Sequence, residues 1–91
     1  MTQIGTLSGR GQLHVGDDDL GEVQYSIDVL VERNMKVGRG WVRGDYDPLN
    51  KAFTSDNVTL HMGGDRAVKI IIKSLNNDGA LILTSGAIPG Y

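Results

Sequence analysis

The sequence predicts a small all-β domain with one short helix, six antiparallel strands closing as a barrel or sandwich in the order β-β-β-α-β-β-β. Three observations carry that reading. Between Glu22 and Glu32, Val23, Tyr25, Ile27, Val29 and Val31 alternate with Gln24, Ser26, Asp28 and Leu30, which is the two-residue period of a strand with one buried face. Thirteen glycines stand against two prolines, and they recur inside alternating segments instead of pooling in a linker, marking turns, bulges and bends. The 91 residues are 40% hydrophobic and 22% charged, with a net charge of −2; that is enough for one hydrophobic core and too little for two. A single domain over 1–91 follows, with an irregular tail over 86–91.

Taken in chain order, Gly5, Leu7, Gly9, Gly11, Leu13 and Val15 share one parity over a glycine-interrupted stretch, so the first strand is expected to be long and sharply bent. It ends at Gly16-Asp17-Asp18-Asp19. The strand from Glu22 to Glu32 returns through Arg33-Asn34-Met35-Lys36 into Val37 to Gly44, where Gly38, Gly40, Val42 and Gly44 alternate with Val37, Arg39, Trp41 and Arg43. An even-length turn sets Val31 opposite Gly38, Val29 opposite Gly40, Ile27 opposite Val42 and Tyr25 opposite Gly44. Large residues then face small ones, as a tightly curved wall requires. The same register places Leu30 opposite Arg39, Asp28 opposite Trp41 and Ser26 opposite Arg43 on the other face, with Asp28 diagonal to two arginines.

Asp47-Pro48-Leu49-Asn50-Lys51-Ala52-Phe53 reads as a helix of about two turns, with Asp47 as cap, Pro48 at the first helical position, and Leu49, Ala52 and Phe53 at helical spacing. Val58 to Met62 and Ala67 to Lys73 flank Gly63-Gly64-Asp65. A three-residue loop there pairs Leu60 with Val68 and Val58 with Ile70, apolar with apolar, and is preferred for that reason. Asn77-Asp78-Gly79 is a hairpin signal leading into Ala80 to Thr84. In element order alone, the first five strands and their interposed helix resemble the OB-fold, which implies a barrel whose second and third strands form the binding face. Fold alone does not carry function.

With no cysteine there is no disulfide, thiolate metal site or cysteine nucleophile. Met1-Thr2-Gln3-Ile4-Gly5 lacks the basic and apolar stretches of a secretory signal, and no segment reaches the roughly 18–20 apolar residues of a membrane-spanning helix; a cytoplasmic location is expected. Charge is segregated. Arg33, Lys36, Arg39 and Arg43 fall together without an acid among them, whereas the first 28 residues hold Arg10 against Asp17, Asp18, Asp19, Glu22 and Asp28.

On the expected register Leu30, Arg39, Trp41 and Arg43 share an outward face, and these four are the candidate binding residues. Two readings compete for them. In the first, the chain is a non-enzymatic protein-interaction module that presents this face, Val37 and the Ile88-Pro89-Gly90-Tyr91 tail to a protein partner, a second copy included, because a barrel wall with large apolar side chains outside its core needs cover. In the second, Trp41 stacks on bases and the arginines meet phosphates, an OB-type single-stranded nucleic-acid-binding domain.

The remaining motifs point to structure. Gly9-Arg10-Gly11-Gln12-Leu13-His14 and Gly38-Arg39-Gly40-Trp41-Val42-Arg43 look alike, yet nothing around them extends the match, and neither has the spacing of a phosphate loop or dinucleotide fingerprint. Asp17-Asp18-Asp19 with Glu22 lacks the alternation of a calcium loop. His14 and His61 find no third partner in the sequence, and Asp45 and Asp47 flank Tyr46 where a cap belongs. Ser8, Ser55, Ser74 and Ser85 have no elbow context and no evident base. No enzyme, cofactor or metal is expected.

Overall fold

The computed structural model describes residues 2–64 and 66–91. The elements are β1 (Thr2–Val15), β2 (Asp18–Glu32), β3 (Met35–Arg43), α1 (Tyr46–Phe53), β4 (Val58–Gly63), β5 (Arg66–Leu75) and β6 (Gly79–Thr84). The order is the one the sequence predicts. Two three-stranded antiparallel meanders, β1-β2-β3 and β4-β5-β6, close on each other into a ring ordered β1-β2-β3-β6-β5-β4. The closing pairs are short: Gln12–Val15 of β1 lie against Val58–His61 of β4, and Arg39–Arg43 of β3 against Gly79–Leu83 of β6. The OB likeness therefore stays one of element order, since a sixth strand here joins the ring and every pairing is antiparallel.

The β2–β3 register keeps the predicted parity but slides by two residues. Gly38 lies opposite Val29, Gly40 opposite Ile27 and Val42 opposite Tyr25, while Leu30, Asp28 and Ser26 face Val37, Arg39 and Trp41. The cause is the turn. Arg33 and Asn34 take φ of 52° and 64°, the left-handed pair of a two-residue type I′ connection, so the strands pair directly from Glu32 and Met35. Because the slip is even, every side chain keeps its face. At Gly38 and Gly40 large still opposes small.

The pairs Val58–Ile70 and Leu60–Val68 occur as the apolar pattern requires; Asp65 of that loop lies outside the described residues. In the β5–β6 turn the Asn76 side-chain Oδ1 accepts the amides of Asp78 and Gly79 at 3.3 and 2.9 Å, a polar side chain standing in for a missing backbone partner. The helix begins earlier than predicted. Asp45 is the N-cap and makes no side-chain capping bond, Asp47 sits in the first turn, and the first intrahelical bond runs from the Leu49 amide to the Asp45 carbonyl at 3.4 Å. Pro48 fits one turn inside because the first amides of a helix have no intrahelical acceptor.

Inside the ring, Leu13, Tyr25, Ile27, Val42, Leu60, Val68, Ile70 and Ile82 form one buried cluster, and α1 closes the end of the ring by adding Leu49 and Ala52 to it. Phe53, expected on the same helical stripe, is exposed. The tail folds back at the opposite end. Ile88 is buried, the Tyr91 ring lies on Gly5, and the Lys36 Nζ donates to the Tyr91 carbonyl at 2.9 Å. The tail thus lies against its own strands.

Candidate functional site

Period-two geometry sends Arg39, Trp41 and Arg43 of β3 to the outside of the ring, as predicted. Arg39 and Arg43 are exposed, and Trp41 is half-buried. The Arg43 guanidinium carbon stands 4.6 Å from the centroid of the Trp41 ring, a cation held over an aromatic face. Leu30 does not join them. It is 6% exposed and unavailable to a ligand, so the proposed quartet reduces to a trio.

The trio's neighbours lie on β6 and β5 more than on β2. Trp41 pairs with Leu81 and Arg39 with Leu83, and on the next strand Leu83 pairs with Ile71. All three aliphatic side chains point to solvent: Leu81 is 55% exposed, Ile71 51% and Leu83 36%. Around them stand Arg39, Arg43, Lys69 and Lys73, all exposed. An open depression of about 380 Å³ runs between them, lined by Asp28, Arg39, Trp41, Lys73, Leu81 and Leu83.

Asp28, across from Arg39, forms no ion pair with these cations. Its Oδ1 accepts from the Thr6 hydroxyl at 3.2 Å and the Gln3 amide at 3.4 Å, which turns its carboxylate toward β1. Among the described residues the ion pairs are Arg10–Glu22 and Lys51–Asp18, each at 3.7 Å; none involves the four rim cations. The result is an aliphatic strip beside one indole, framed by four cations and one carboxylate, Asp28.

Sequence reasoning missed Leu81, Leu83, Ile71 and Lys73, although a signal was present. Ile70-Ile71-Ile72 and Leu81-Ile82-Leu83 are apolar at both parities, and a strand with one face in the core has no use for apolar residues on the other.

The other candidates make local contacts. The rings of His14 and His61 meet across β1 and β4 with centroids 4.3 Å apart, and among the described residues no group of three His, Cys, Asp or Glu side chains is placed to hold a metal ion. Asp19 accepts the Gly21 amide at 2.8 Å, and Asp18 pairs with Lys51. Among the described residues no helix is long and apolar enough to cross a membrane. Comparison with protein families, curated proteins and solved structures finds no match for this chain.

Proposed function

We infer that the chain is a non-enzymatic protein-docking module and that the outward face of β3, β6 and β5 is where it binds. The observation that carries this reading is the run of Leu81, Leu83 and Ile71 beside Trp41 on adjacent strands, exposed on a chain whose own tail covers the opposite end. Contiguous exposed apolar surface with a charged rim is a feature of interaction sites, and Trp and Arg are the residue types that most often dominate interface energy. The rim selects for carboxylates, so the favoured partner surface is apolar at its centre and acidic at its margin.

The same geometry weighs against a nucleic-acid platform. One indole already carries a guanidinium on its ring, and the neighbouring positions are aliphatic, with no second aromatic on which the next base would stack. Salt separates the alternatives. Trp41 emission in the full chain is to be titrated with an amphipathic helical peptide bearing aspartates and aromatics, and separately with a short single-stranded oligonucleotide. The docking reading expects the peptide to shift the emission, the shift to weaken in Leu81→Glu, and a part of it to persist at high salt. Quenching by the oligonucleotide alone, fading steeply as salt rises, would replace this reading with phosphate recognition.

A further inference from the structure

The chain carries a second exposed apolar patch whose charge is the converse of the first. Helix α1 turns Leu49 and Ala52 inward and leaves Tyr46 and Phe53 outside, 46% and 45% exposed. Tyr46, Asn50 and Phe53 fall at i, i+4 and i+7, one side of a helix. The acids Asp45 and Asp47 flank Tyr46, Asp56 follows the helix, and the one base of the helix, Lys51, is engaged with Asp18. This patch is aromatic and acidic; the sheet face is aliphatic and basic.

Dimensions match as well as chemistry. An eight-residue helix is about 12 Å long, and three adjacent strands span about 10 Å between their outer axes. We propose that the occupant of the β3–β6–β5 face is helix α1 of a second copy of this chain, with Tyr46 and Phe53 on the Leu81, Leu83 and Ile71 strip and Asp45 and Asp47 against Arg39, Arg43, Lys69 and Lys73. The proposal rests on the docking reading above and supplies its partner.

Two other ways for copies to meet are disfavoured by what the surface carries. Pairing the sheet face with itself sets its four cations, with Asp28 as the one acid among them, against the same four, a like-charge juxtaposition that opposes association. Adding a strand to the free edge of β1 meets a register shift between Gln3 and Gly5 and the irregular backbone at Gly9, and such bulges blunt an edge. Helix and face are different surfaces, so their union either closes as a two-fold pair with two such contacts or continues head to tail.

The test is the mass of the full chain by sedimentation velocity from about 10 μM to about 1 mM, the range for a contact of this small size, at low and high salt. The face variant is Lys73→Glu with Leu81→Glu, and the helix variant is Asp47→Lys with Phe53→Lys; all four side chains are exposed, and far-UV circular dichroism checks folding. Phe53→Ser serves as a second helix variant without a charge change. The expected result is a mass that rises with concentration and less so in salt, at least about tenfold weaker association for each variant alone, and restored association that stops at one-to-one when face and helix variants are mixed. A wild-type chain monomeric throughout overturns the proposal, while the docking face still answers to the peptide titration. Association lost in the face variant but intact in the helix variants keeps the face and removes α1 as its occupant. Association indifferent to every variant removes both.

Discussion

Gly40 lies opposite Ile27, where a Cβ would be driven into the Ser26 carbonyl oxygen of the neighbouring strand. That contact is with backbone, which cannot rotate away, so Gly40→Ala is expected to lower stability by about 2–3 kcal/mol, read as a lower urea midpoint at unchanged slope. An unmoved midpoint would mean that β2 and β3 separate locally at no cost. At the other end, Gly5 makes room for the Tyr91 ring. The turn offers the opposite experiment. Arg33 holds φ of 52°, a conformation that disfavours L side chains other than asparagine and aspartate, and Arg33→Asn is expected to raise stability by about 0.5–1 kcal/mol. No gain in the urea midpoint would count against the left-handed turn. The alternation of large with small residues is legible in the sequence, and so is the outward parity of Arg39, Trp41 and Arg43. The burial of Leu30 is not, because parity assigns a side of the sheet and says nothing about what folds over it.

Among the elements, β1 is the least evenly supported. Its whole length pairs with β2, but only Gln12–Val15 pair with β4. Amides of Thr2–Arg10 that point away from β2 are therefore expected to exchange within the fastest class of strand amides, while those of Ile27 and Val42 in the packed middle approach the global unfolding limit. Uniform slow exchange along β1 would require a second partner for its edge. The strands themselves are legible because hydrophobic periodicity reports a buried face directly, and the β4–β5 pairing follows from matching apolar residues across the loop. The helix start is displaced by two residues since Asp45 and Asp47 are equally good caps in sequence, and the choice between them is made by where β3 ends. The β2–β3 register escapes a sequence reading because Arg33-Asn34 lacks the glycine that usually announces a type I′ turn.

For the whole molecule, two of the exposed apolar patches carry opposite charge: Asp45 and Asp47 beside Tyr46 and Phe53 on α1, and cations beside Leu81, Leu83, Ile71 and Trp41 on the sheet face; Ile4, Met35 and Tyr91 are exposed elsewhere. Neither patch supports the core. Leu81→Ser and Phe53→Ser are accordingly expected to change stability by no more than about 0.5–1 kcal/mol while weakening association, a combination that thermal melts and sedimentation on the same samples would establish. A large loss of stability from either would make the residue structural. The sheet face exists only because β6 lies beside β3, a long-range pairing that no local pattern in the sequence specifies. Its role as a docking surface is tested most directly by methyl NMR of the full chain, following the Leu81, Leu83 and Ile71 resonances as protein concentration or the acidic peptide is raised. Shifts concentrated on those three methyl-bearing residues and on the Trp41 indole are the expected result; no shift there, or shifts centred instead on Ile4 and Met35, would contradict it.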